Sequence, residues 1–370
     1  MAAPEHTYPL KLRASAREKV WGGRSLEALF DRRLPGKGPI GEVWTAWAGL
    51  SVSNGAARGV TLQDLVNLDP IGVLGGGVSA PTPFPLLVKF LDARAPLSIQ
   101  VHPDDRFAQD VEKQSFGKSE MWHVVQADPG ATVLHGTNHS LLPAELRAAL
   151  DEARLPEVLA TVEVKAGDIF INPPGTIHAL GRGVVLFELQ QSSDITYRLY
   201  DWDRQTDGRP ARELHLDKGL AVSDLVPPAH HTVTPVLMAD GPWRRSVLGA
   251  SKYYACELLA ATSSVGSEAW RLASRGRFEI LTALEGEATI RPTSVRFDPV
   301  ELSPGQSLLI PALLGDVQVI ARQRPCRLYR SYVPDLRADL VDPLRRLGFS
   351  DETIVQLGGD PARSDLRLCL

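Results

Sequence analysis

Four residues of this 370-residue chain are of the types that hold a divalent cation: Gln100, His102, Glu120 and His178. Gln100 and His102 lie in PLSIQVHP, where Ile99 and Val101 alternate with Ser98, Gln100 and His102. A strand over this run buries the first pair and presents the other three on one face. Pro103 has no amide to give to a ladder and stops the strand. Eighteen residues beyond His102 comes Glu120, in a second strand-like run where Lys118, Glu120 and Trp122 share a face. Two neutral imidazoles, an amide and one carboxylate around a divalent ion leave a net charge of about +1 by simple count. Such an ion stays Lewis-acidic, with open positions for oxygen ligands. A lone histidine at a strand start is usually a hydrogen-bonded residue, so the reading rests on all four together. With no thiolate in the set, a structural zinc knot is disfavoured.

The elements that must position these groups are short strands and one tight turn. His178 closes GDIFINPPGTIH, in which Gly167 is followed by five residues, Pro173, one residue, Gly175, two residues and the histidine. That spacing resembles the second motif of the cupin superfamily, a strand, a proline-glycine corner and an inward-pointing histidine at the next strand. The superfamily's first motif normally supplies two histidines and a glutamate. Here Gln100 stands for one histidine and the gap to Glu120 is longer. From Glu163 through GVVLFELQQSSDITYRLYDWDR to RELHLDKGLAV, short β runs alternate with Pro and Gly turns, as a jelly-roll barrel requires. The run LLPAELRAALDEARLPEVLATV, within about 138–160, carries apolar residues at helical spacing and reads as a small helical insertion.

Composition narrows the function classes. A hydrophobic fraction of 44% with 23% charged residues is ordinary for a globular protein, and a formal charge of −4 gives no electrostatic case for nucleic acid or an anionic membrane. Cys256, Cys326 and Cys369 show no CxxC spacing and suit a reducing compartment. No apolar run reaches the length of a membrane span and no leader opens the sequence. A soluble, cytoplasmic protein is expected. Residues 8–39 read as polar and basic, with a turn and short helix in KVWGGRSLEALF. The stretch after them reads as a strand at Glu42–Trp44 and a helix entered near Thr61. Gly75, Gly76 and Gly77 lack the Lys-Ser/Thr of a phosphate loop and read as a flexible connection. Asp104 and Asp105 read as turn and cap residues, and His230-His231 as a solvated turn.

Beyond about residue 231 a second β-rich segment repeats the Gly-five residues-Pro spacing at Gly305 and Pro311, but Asp316 stands where His178 would. The expected fold is therefore mainly β: tandem cupin (jelly-roll) barrels over about 1–230 and 231–335, the second without metal ligands. A short helical tail with a frayed end, of no legible role, occupies 336–370.

The runs PLLVKFLDARAPLSIQVHPDD, GKSEMW, PPGTIHALG and FELQQSSDITYRLYDWDR, with WGG at Trp21 and GEVW, resemble type I mannose-6-phosphate isomerases in their short bacterial form. The resemblance spans about Tyr8 to Pro334. His123 departs from it, where that form usually has Tyr on the side facing away from the metal. Trp47 departs too, where many members have Ser at the pocket rim. The resemblance implies a zinc enzyme of tandem cupin architecture that interconverts mannose 6-phosphate and fructose 6-phosphate, with one Zn2+ per chain. Its metal ligands fall on Gln100, His102, Glu120 and His178, and its other active-site positions on Lys89, Ser98, Lys118, Glu188 and Arg198.

The chemistry required of these residues is aldose–ketose isomerisation through a cis-enediol. A cation must stabilise the developing oxyanion and a base must meet the transferred proton. Glu188, with Phe187 and Leu189 on the other face, is the candidate acid/base beside Lys118; a carboxylate that merely holds Lys118 or Arg198 is its bland alternative. Arg198, opposed by Tyr197 and Leu199, suits an enediolate or a phosphate; otherwise it forms a rim ion pair with Asp194 or Asp201. Lys89 in LLVKFL is read as a phosphate binder with Ser98, or as a lysine snorkelling from a strand. An isomerase of another, unphosphorylated aldose and a non-catalytic sugar-binding cupin remain competing readings. An iron oxygenase is a poorer fit to Gln100.

Overall fold

A computed structural model describes residues 7–76, 83–202, 204, 212–262 and 269–370. Gly77 and most of the run 203–211 lie outside the described residues. The site is built between two antiparallel sheets of the first barrel. One runs Ser15–Gly23, Ile40–Ala46, Leu86–Ala93, Val184–Gln191, Glu120–Ala127, Ile169–Asn172. The facing sheet runs Tyr197–Tyr200, Ile99–Val101, His178–Leu180, Thr132–Thr137, Leu159–Glu163. Side chains alternate across each strand. Ile99, Val101, Tyr197 and Leu199 therefore pack behind the second sheet, against the helix Pro143–Asp151 of the insertion.

The second barrel repeats the plan with a seven-stranded and a four-stranded sheet. Its Pro311 corner leads through a 3₁₀ turn, Ala312–Leu314, to the strand Val317–Ala321. Asp316, at the position matching His178, is ion-paired with Arg271. The two barrels share one core: Phe187 stacks on Tyr329 with ring centroids 3.7 Å apart, and Phe90 packs edge-on against Phe187. His123 points away from the metal residues, as expected, and its Nδ1 meets the Tyr329 hydroxyl at 2.6 Å.

Several expectations need correction. The polar N-terminal segment forms a nine-residue strand, Ser15–Gly23, whose charged residues lie on its half-exposed part. The short strand Leu10–Lys11, read as part of 1–230, pairs with Leu308 and Leu309 of the second barrel. LDKGLAV, read as strand, is the helix Leu216–Val222. Its Gly219 lies so close to the sheet that a Cβ there would come within 2.3 Å of Leu199, and Leu220 and Val222 join the core behind the sheet. The frayed end is instead a 3₁₀ turn, Asp365–Cys369, with Leu366 buried. Other readings stand: Thr61 caps the helix Leu62–Leu68, and Asp104 accepts from the Phe107 amide. Gly75, read as part of a flexible connection, instead ends the helix Pro70–Leu74 at φ +112 and forms a bridge with Arg277. No helix among the described residues is long and apolar enough to cross a membrane.

Candidate active site

Register brings the candidate residues abreast. On one sheet His178 and Arg198 both stand opposite Gln100, on either side of it. On the other, Glu188 stands opposite Lys89 on one side and Trp122 on the other. Glu120 opens its strand opposite Gln190 and Asn172. The strand at Ile99–Val101 ends before His102, as Pro103 dictates.

His102, Glu120 and His178 are almost fully buried, and one ligand atom from each lies within 4.8 Å of the others. The His102 Nδ1 donates to the Ile195 carbonyl at 2.8 Å, and the His178 Nδ1 to the Thr176 carbonyl at 2.8 Å. Both Nε2 atoms are thereby left as lone pairs aimed inward. Each of these meets a Glu120 oxygen at 3.3 Å, His102 at Oε1 and His178 at Oε2. Two acceptors facing each other repel unless a cation lies between them. Ligands about 2.1 Å from one ion at a tetrahedral angle are about 3.4 Å apart, close to the observed separations. The Gln100 side-chain amide is 3.3 Å from the His178 Nε2, and turning its amide directs the carbonyl oxygen inward. The donor set thus fits a divalent ion of borderline softness. The Lys118 ammonium lies 2.7 Å from Glu120 Oε1.

Electrostatics follow from this burial. Burial and the neighbouring Lys118 charge push His102 down to about 3, so its imidazole is neutral, as a ligand must be. Burial alone would raise Glu120, but the Lys118 ammonium holds its carboxyl well below the usual range. Glu188 behaves oppositely: burial, and then the Glu120 charge, raise it to about 8 against the pull of Lys89 and Lys118. Its Oε1 is 3.2 Å from the Lys89 ammonium, which is itself buried.

Lys89, Lys118, Glu120 and Glu188 line a cavity of about 280 Å³ that also includes Ser98, Trp122, Arg198, Lys19, Glu42, Asp194, Thr196 and Arg212. All nine residues singled out from the sequence are therefore close together: Lys89, Ser98, Gln100, Lys118, Glu120, Glu188 and Arg198 in the wall, His102 and His178 in the ligand cluster. Four of the lining cations sit within salt-bridge distance of a carboxylate: Lys19 with Glu42, Lys89 with Glu188, Lys118 with Glu120, Arg212 with Asp201. Arg198 has no such partner among the described residues. Its Nη1 donates to the Glu213 carbonyl at 2.9 Å and its buried Nε is unpaired. Asp201, expected as a rim partner for Arg198, is held by Arg212 instead.

Sequence reasoning missed Lys19, Glu42, Thr196 and Arg212 as cavity residues, and named Asp194 only as a rim partner for Arg198. Glu42 had a signal in GEVW, where it accepts from the Trp44 indole at 2.6 Å; Lys19 and Arg212 sit in charged runs with none. Trp47, expected at the pocket rim, packs edge-on against Trp44 with centroids 5.1 Å apart and is not in the cavity wall. His231 is not a free solvated turn residue either: its Nδ1 lies 3.2 Å from the Nδ1 of buried His135.

Two jelly-roll barrels, one holding two inward imidazole lone pairs and a carboxylate, define a cupin with a candidate metal centre. Residues 10–126 match the family model "Phosphomannose isomerase type I, catalytic domain". The chain is 33% identical over 323 residues to mannose-6-phosphate isomerase of Streptococcus mutans, covering 85% of this chain and 97% of that one. It is 39% identical over 234 residues to mannose-6-phosphate isomerase ManA of Bacillus subtilis, covering 61% and 72% respectively. The crystal structure of the Bacillus subtilis mannose 6-phosphate isomerase superposes with a TM-score of 0.77 at 28% identity, over 88% of this chain and 99% of that one. The chain belongs to the type I phosphomannose isomerase family.

Proposed function

We propose that this protein interconverts mannose 6-phosphate and fructose 6-phosphate through a cis-enediol, with one zinc ion per chain held by Gln100, His102, Glu120 and His178. The observation that carries this reading is the pair of neutral imidazoles with their Nε2 lone pairs turned onto the Glu120 carboxylate, beside a cavity walled by Glu188, Lys118 and Arg198. The relatives' printed activity, mannose-6-phosphate isomerase, supports the choice of substrate. When bound, zinc supplies Lewis acidity toward the sugar's carbonyl and hydroxyl oxygens.

The chain's own groups do the rest. Glu188, buried and raised toward neutrality, takes the proton from one carbon and returns it to the next. Lys89, expected at the phosphate, is bound to Glu188; we assign it to fixing that carboxylate, with Ser98 left to meet the phosphate. Lys118 balances Glu120 and stands close to His102. Arg198, free of carboxylate partners among the described residues, turns its planar guanidinium on the enediolate or the phosphate. Three unpaired cysteines suit the cytoplasm.

A coupled assay run in parallel on mannose 6-phosphate, mannose and several pentoses tests the reading. Turnover of the phosphorylated hexose well above the others is expected. Equal or faster turnover of an unphosphorylated aldose would replace the substrate, and no turnover of any sugar would favour a binding protein.

A further inference from the structure

The last 35 residues, which carry no part of the family resemblance, end against the turn that bears His178. Within this tail Leu357 accepts the Ala250 amide at 2.8 Å and Asp365 accepts the Lys252 amide at 2.9 Å, fixing it to the second barrel. Farther back, Asp339 is paired with Arg275 and Arg277. Gly359, at φ +84, passes so near Ile171 that a Cβ would lie 2.9 Å from the Ile171 Cβ. The chain then delivers Arg363 to the first barrel. Its guanidinium donates to the Thr176 hydroxyl at 3.0 Å and to the Pro174 carbonyl, and pairs with Asp224 at 3.0 Å.

Two of these partners, Pro174 and Thr176, belong to the turn 173–176, which touches both imidazole ligands. The Gly175 amide donates to the His102 carbonyl at 2.9 Å. The Thr176 carbonyl accepts the His178 Nδ1 proton and so fixes which nitrogen faces the centre. Gly175 sits at φ +89, a conformation that glycine alone adopts readily, and its carbonyl accepts at 2.8 Å the amide of Asp224, the residue that pairs with Arg363. Arg363, a planar donor with several N–H groups, bonds two residues of the turn at once.

We propose that Arg363 is a positioning residue for the metal centre: the C-terminal tail clasps the His178 turn and thereby sets ligand orientation. The inference rests on the metal reading above. It is tested with the full chain by competitive zinc chelation, together with amide hydrogen exchange of the metal-free protein. Arg363→Ala is expected to weaken zinc binding about tenfold, the low end for groups that orient metal-bound histidines. Exchange at Gly175 should quicken while far-UV circular dichroism stays unchanged. Arg363→Lys should recover part of the affinity, and Arg367→Ala, at an exposed tail position, none of the loss. Turnover of Arg363→Ala at saturating zinc should approach that of the parent. Unchanged affinity and exchange in Arg363→Ala would overturn the clasp. Faster exchange with no zinc bound by either protein would overturn the metal reading instead, leaving the clasp as a device of the turn alone.

Discussion

At the scale of the residue, the cavity separates groups by what balances their charge. Lys89 and Lys118 lie within salt-bridge distance of Glu188 and Glu120. Arg198 is the residue whose charge the described residues leave uncommitted to a carboxylate. Arg198→Ala is expected to retain the metal and lose about a hundredfold or more in kcat, the scale seen when a donor to a developing oxyanion is removed. Metal analysis beside steady-state kinetics measures both, and near-normal kcat would make Arg198 structural. Glu188→Gln keeps the shape of the side chain but removes its proton affinity; about a hundredfold loss of turnover is expected with substrate binding largely kept. Unaltered kcat in that variant would move the proton transfer to another group.

At the scale of the element, two short strands and one corner do the positioning, and much of this was legible in sequence. Strand alternation fixes that Gln100 and His102 share a face while Ile99 and Val101 enter the core. The Gly175 corner likewise fixes where His178 starts its strand. What stayed hidden depends on contacts between distant segments. Ser15–Gly23 reads only as a polar and basic stretch leading into a turn, because its charged residues lie on the half-exposed part of the strand. Leu216–Val222 reads as strand because only the close approach of Gly219 to Leu199 reveals a helix packed on the sheet. Arg212 carries no motif; only the fold brings it to the cavity.

At the scale of the whole molecule, the second barrel and the tail act as a brace for the first. Tyr253 donates to Asp105, which also accepts from the Gly117 amide and the Gln191 side chain, and the Ser119 hydroxyl meets Tyr254 at 3.1 Å. The segment entering Glu120 is thus held from behind. This interior also contains histidines kept neutral. Burial, then Arg327, lowers His123 to about 4, and burial lowers His135 to about 3. The folded state binds these protons less readily than the unfolded chain, whose histidines titrate near 6.5. Stability should therefore be full above pH 6.5 and fall as the pH drops through about 4, by about 3 kcal/mol for His123 alone. Denaturant unfolding followed from pH 7.5 to 4.5 should show that decline, and His123→Phe should make it shallower. An equally steep decline in the variant would remove His123 as a cause.

In the proposed mechanism His102, Glu120, His178 and Gln100 hold one ion on which turnover depends. The most direct measurement removes metal stepwise with a chelator, counting divalent ions per chain and mannose 6-phosphate isomerisation at each step. Activity is expected to fall in proportion to a single ion per chain, to return when zinc is restored, and to be absent together with the ion in His178→Ala. Full-rate turnover by metal-free protein would contradict this mechanism.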